Sequence, residues 1–253
     1  MAPDRAPSRK QTRKRLEALR VASQDCVNKT LLPLLAEVIS QEMPAELEWH
    51  LDPDPDDPDD QTLLFAYPTA FADQVAYLRQ VVKVELGARS DTEPTQEIDI
   101  HPYLEEAFPD LLPQSQCSVR AVSLERTFWE KAMLLHEETF RPPNKKRQAR
   151  MARHYYDLYC LINAGIGHDA SDDLELFERI AAHRQVYFRY TWVDYDTLRP
   201  GHLKLVPPDD QLANWKSDYT AMKDVMFFGE IPEFEDLIRT AREFQDEFNE
   251  KYG

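Results

Sequence analysis

Glycine is scarce, with six in 253 residues, at 87, 165, 167, 201, 229 and 253. None completes a P-loop, a GxGxxG turn or a GxSxG elbow, which excludes the familiar phosphate cradles and the exposed serine nucleophile. Cysteine is scarcer still. Cys26, Cys117 and Cys160 form no CxxC pair, so neither a zinc site nor a disulfide framework is indicated. They read as reduced core thiols of a cytoplasmic protein. No run approaches the roughly 20 apolar residues of a membrane span, and the N-terminal MAPDRAPSRKQTRKR lacks the apolar centre of a secretory signal. His136-Glu137 does not open an HExxH zinc motif, because position 140 is Phe. Positive charge is also in deficit: the formal net charge is -16, which argues against broad, nonspecific nucleic-acid binding.

What is present concentrates in Ser123 to Ile162, SLERTFWEKAMLLHEETFRPPNKKRQARMARHYYDLYCLI. The pattern predicts two helices joined by a basic, proline-containing loop. On the first, Leu124, Phe128, Lys131 and Leu135 recur at helical spacing, with Trp129, Ala132, Met133 and His136 as a second stripe. Lys131 therefore stands among apolar neighbours, where an ammonium requires an anionic partner. Asp157 on the second helix can supply it, with Arg153 and His154 one turn earlier on the same side. The plainer reading of such a pair is a tie between two helices. Cations gather in two islands: Arg9, Lys10, Arg13, Lys14, Arg15 and Arg20, then Arg141, Lys145, Lys146, Arg147, Arg150 and Arg153. Either island can guide a phosphate locally, and the loop Arg141 to Arg150 should be exposed and mobile, its cations rimming the same cleft as Lys131.

In chain order, residues 1–8 read as disordered. Arg9 to Gln41 reads as a long amphipathic helix, or two broken near Pro33. Leu47, Trp49 and Leu51 alternate as a strand. DPDPDDPDDQ (52–61) is a loop whose six aspartates lack the glycine and terminal glutamate of a calcium site. Leu63 to Tyr67, Gln80 to Gly87 and Glu97 to Ile100 follow as strands. In the second of these, Val82, Val84 and Leu86 should face the core, opposite Lys83 and Glu85. Helices are expected over about 172–192, 209–227 and 232–250, with Ser171 and Asp209 as N-caps. The class is α+β: a small mixed or antiparallel sheet unit over 1–122 and a helical portion over 123–253.

ERTFWEKAMLLH followed by ARMARHYYDLYCL resembles the paired motifs of the AbiEii/AbiGii toxin family, nucleotidyltransferase-fold proteins of bacterial toxin–antitoxin and abortive-infection systems, with the MenT toxins as relatives. VVKVELGARSD (81–91), EEAFPDLL (105–112) and DYTAMKDVMFFGEIPEFEDLI (218–238) extend the resemblance. It implies transfer of a nucleotide from a nucleoside triphosphate to an acceptor such as tRNA, with Mg2+, and an antitoxin encoded nearby. It also implies roles: Lys131 and Asp157 in catalysis, Lys131, Arg153 and His154 in nucleotide binding, and Glu85 in metal binding. The chain departs from the family pattern in one respect. It has no Gly-Gly or Gly-Ser turn followed by an acid-x-acid strand; Glu97-Ile98-Asp99 is the one strand-like acid-x-acid and follows Glu85, in the wrong order. The expectation is that the primary metal-binding segment lies upstream of Met1 or is lost. The polypeptide alone would then bind nucleotide, or serve as an interaction module, without transferring it.

Overall fold

Pro33 has no N–H to offer the carbonyl four residues back, and the N-terminal helical segment accommodates this by widening. Helix α1 (Arg9–Cys26) passes through a π-helical stretch, Val27–Leu31, into α2 (Leu32–Glu42), whose first turn holds the proline. Leu32 N–H reaches back to the Val27 carbonyl, the five-residue step that avoids the missing donor. The structure, a computed structural model, describes residues 2–68, 81–108, 116–227 and 229–253. Parts of EEAFPDLL and of the Gln80–Gly87 strand lie outside them, as does Phe228.

The chain divides into two compact units, Met1–Ser90 and Asp91–Gly253. This boundary falls earlier than the expected division at 122/123. In the first unit, β1 (His50–Pro53), β2 (Thr62–Ala66) and β3 (Val81–Glu85) form an antiparallel sheet in sequence order, with Leu51 opposite Phe65 and Leu63 opposite Val84. The aspartate-rich connection is a set of side-chain-closed turns: Asp54 accepts from the Asp56 N–H, and Asp57 from those of Asp59 and Gln61. Val82, expected against the core, is 50 % exposed on the edge strand β3, while Val84 is half-buried. Residues 3–5, expected to be disordered, make a 3-10 turn, and Arg15 donates to the Ala2 carbonyl at 2.8 Å.

The second unit opens with a ribbon of β4 (Thr95–Ile100) and β5 (Cys117–Val122), placing Glu97 opposite Arg120. Short α3 (Tyr103–Ala107) precedes β5 in sequence. Then come α4 (Leu124–Thr139), α5 (Arg153–Asn163), α6 (Ile166–Asp172), α7 (Leu174–Tyr187), α8 (Asp209–Met226) and α9 (Phe234–Tyr252). Their apolar stripes meet in one core, with Phe128, Trp129 and Met133 of α4 against Phe177 of α7 and Phe244 and Phe248 of α9. Trp129 stands edge-on to Phe177 at 4.8 Å between ring centroids, and its indole N–H donates to the Ala170 carbonyl at 3.1 Å. Gly165, at φ +83°, ends α5 and turns the chain into α6. Asp173 rather than Ser171 caps α7, accepting from the Leu176 N–H at 2.9 Å, because the Ser171 hydroxyl donates to the His168 carbonyl. Asp209 is the first residue of α8, after Pro208 in the cap position. The three cysteines are free and exposed, correcting the expectation of core thiols.

Candidate active site

Ser123 begins α4 by accepting the Arg126 N–H on its hydroxyl at 3.2 Å. Two turns further on, Lys131 sits beside the buried Phe128 and Leu135, at the border where α4 packs on α5. Its ammonium donates to Asp157 Oδ2 at 2.6 Å, joining the helices as the sequence pattern requires. The lysine and aspartate side chains retain 24 % and 35 % of their exposure, so both charges are open to a ligand from solvent.

His154 lies one turn before Asp157 on α5. Burial pushes its pKa down to about 4, with the Lys131 and Arg153 charges acting the same way against the opposing Asp157. At neutral pH it is therefore an uncharged imidazole, and its buried Nδ1 has no hydrogen-bond partner among the described residues. Arg153 folds back, donating from Nη1 to the Arg150 carbonyl at 2.8 Å.

Asp218 on α8 supplies the cap that α5 lacks in its own sequence, accepting from the N–H groups of Arg150 at 2.7 Å and Ala152 at 2.8 Å. Arg150 meets that geometry in the left-handed region, at φ +68°. Sequence reasoning missed Asp218, because nothing in its own helix marks it as a cap for another.

The connecting loop is tethered more firmly than the expected mobile rim. Glu138, buried at the end of α4, accepts two bonds from Arg141, at 2.7 and 2.6 Å, and one from Arg147 at 3.1 Å. Arg147 also donates to Gln211 at 2.6 Å and lies 3.8 Å over the Trp215 ring. Lys145 and Lys146 remain exposed. A second buried acid, Glu137, is held by Arg184 at 3.0 and 2.6 Å and by the Tyr195 hydroxyl at 3.1 Å. The signal for both acids was in the sequence: HEE falls within the apolar periodicity of α4, where a carboxylate must be paired.

Glu85 belongs to the first unit, exposed on β3, with its carboxylate 3.1 Å from the Lys83 ammonium. Lys83 also approaches the buried Asp54 at 3.5 Å. No group of three His, Cys, Asp or Glu side chains able to hold a metal ion occurs among the described residues, and Glu97 and Asp99 on β4 complete no such group. Among the described residues, the magnesium site that the resemblance implies is thus not preformed by three such ligands, and Glu85 is the carboxylate the resemblance assigns to it.

A small antiparallel sheet unit and a helical unit carrying a lysine–aspartate helix pair make up a mixed α/β chain, consistent with the nucleotidyltransferase-like class that the family match indicates. Residues 8–244 match the family described as Nucleotidyl transferase AbiEii toxin, Type IV TA system, and the chain belongs to that family. Its members are nucleotidyltransferase toxins of type IV toxin–antitoxin systems, which implies an antitoxin partner. No curated protein and no solved structure matches the chain. Among the described residues, no helix is long and apolar enough to cross a membrane.

Proposed function

We propose that this chain transfers a nucleotide from a nucleoside triphosphate to an acceptor hydroxyl, such as one on tRNA, with the Lys131–Asp157 pair at the reacting phosphates. The observation that carries this reading is the 2.6 Å pair, held in register by two packed helices yet open to solvent. In the reaction, the acceptor oxygen bonds to the α-phosphorus, the α–β anhydride breaks and pyrophosphate leaves. Lys131 neutralises charge growing on the departing phosphates. Released from the lysine, Asp157 takes the proton of the attacking hydroxyl. Neutral His154 and Arg153 line the nucleotide's approach. Magnesium is the family's metal; no step is routed through it.

A thermal-shift series with the four nucleoside triphosphates, with and without magnesium, tests the binding half. One triphosphate should stabilise the wild-type protein, by about 2.7 kcal/mol at a hundredfold excess over Kd. Lys131→Met should lose that shift while costing about 1 kcal/mol or less of basal stability, since methionine tolerates the apolar flank. Incubation with radioactive triphosphate and a tRNA pool tests transfer. A Lys131-dependent label on RNA is expected. Triphosphate binding without label would leave a nucleotide-binding module, and an unchanged shift in Lys131→Met would overturn the site.

A further inference from the structure

We propose that Tyr190 and Trp192, together with the exposed Lys145 and Lys146 of the neighbouring loop, form a docking surface for single-stranded RNA. The two rings stack in the segment after α7, with centroids 4.5 Å apart and planes inclined by 20°. Tyr190 keeps 36 % of its surface exposed. The Lys145 ammonium lies 4.1 Å from the Trp192 centroid and the Arg141 guanidinium 5.2 Å from it. Both cations also line a cavity of about 530 Å³ that continues past Lys146 towards α8. Through Arg141 and Lys145 the aromatic pair adjoins this cavity, whose lining carries Asp210 and Asp218 beside its four cations.

Its chemistry selects the ligand. The part-exposed Tyr190 ring, backed by Trp192, can accept an unpaired base, and the exposed Lys145 and Lys146 meet the phosphates that follow it. A duplex presents no such base face. Gln148, Asn214 and Ser217 line the same cavity and offer neutral donors and acceptors. These can meet the 2′-hydroxyls that separate RNA from DNA. The net charge of -16 confines phosphate attraction to local islands, so this patch contrasts with the chain as a whole. If the aromatic pair only packed its own segment, oligonucleotides would not sense its removal.

The surface does not depend on Lys131, so its test separates from that of nucleotide transfer. The full chain is titrated into a fluorescently labelled, unstructured 12-nucleotide RNA, and anisotropy is read at several salt concentrations. Trp192→Ala should weaken binding on the order of tenfold, whereas Trp192→Phe retains most of it. The double change Lys145→Glu and Lys146→Glu, on exposed side chains that folding does not need, should weaken binding and lower the log–log salt slope by about 1.4. Lys131→Met should bind RNA like the wild type, and Trp192→Ala should keep its triphosphate shift. Absence of wild-type binding, equal binding of DNA or duplex RNA of the same sequence, or full binding by the double lysine variant would each overturn the proposal. Should Trp192→Ala fail to fold, Trp192→Phe and the lysine variant still decide it.

Discussion

His136 is buried on α4 in a setting that admits one protonation state. Its Nδ1 accepts the Lys204 N–H at 3.0 Å. The Thr197 hydroxyl gives its proton to the Asp194 carbonyl at 2.6 Å, so at 3.1 Å from His136 it must accept from Nε2–H. A second proton on Nδ1 would face an N–H donor. The pKa accordingly falls from 6.5 to about 4, through burial first and then the Lys204 and Arg184 charges. The sign follows directly: between about pH 4 and 6.5 the unfolded chain binds the proton that the folded chain refuses, so stability is lost as the pH is lowered through that window. The loss attributable to this residue should be about 3 kcal/mol. Urea unfolding of wild type and His136→Gln at pH 7 and pH 4.5 measures it. The variant should show the smaller loss on acidification; equal losses would mean that the imidazole protonates without cost.

Helices α4 and α5 were readable because their stripes repeat at helical spacing over several turns, and one lysine interrupts an otherwise apolar face. The Lys131–Asp157 contact follows from that interruption. Strand β5 was not read although Cys117, Val119 and Ala121 alternate with Ser118 and Arg120, because the run is short and its residues stay exposed or half-exposed on a two-stranded ribbon. The tethering of the cationic loop was hidden for a different reason: Glu138, Gln211 and Trp215 come from elements up to seventy residues away and meet Arg141 and Arg147 only in the folded unit. Composition marked those arginines as solvated, whereas one buried acid, Glu138, claims both Arg141 and Arg147. Asp218 shows the same limit for α5, whose preceding residues carry no capping side chain of their own. Because its carboxylate holds two N–H groups at the entry to α5, Asp218→Ala should cost about 1–2 kcal/mol. It should also loosen Arg153 and His154. Hydrogen exchange at Ala152 should accelerate in the variant, with α9 amides unaffected beyond the global change; unaltered exchange there would mean that the cap contributes nothing.

At the scale of the molecule, apolar burial is distributed unequally between the two units. Among the described residues, Val27 and Leu63 are the buried aliphatic side chains of Met1–Ser90, and α1 and α2 bury none in their own spans. The aromatic and aliphatic core runs instead from Phe128 to Phe248, wholly inside Asp91–Gly253. The buried ion pairs Glu137–Arg184 and Glu138–Arg141 also close within that unit. So does Arg126, fully buried and bonded to Asp91, Glu130 and the Glu93 carbonyl. A chain segment that contains both its hydrophobic core and the partners of its buried charges has what independent folding requires. Residues 91–253 expressed alone should therefore unfold in one cooperative urea transition, with near-UV circular dichroism from Trp129 and Trp215 retained. Arg126 is the sensitive point: cutting after residue 91 instead of before it removes the carboxylate 3.1 Å from its guanidinium. With Glu130 left as its single carboxylate partner among the described residues, the shorter fragment should be less stable by about 1–3 kcal/mol. A broad, non-cooperative transition for 91–253, or equal midpoints for the two fragments, would show that the first unit supplies stability the internal contacts of the second do not reveal.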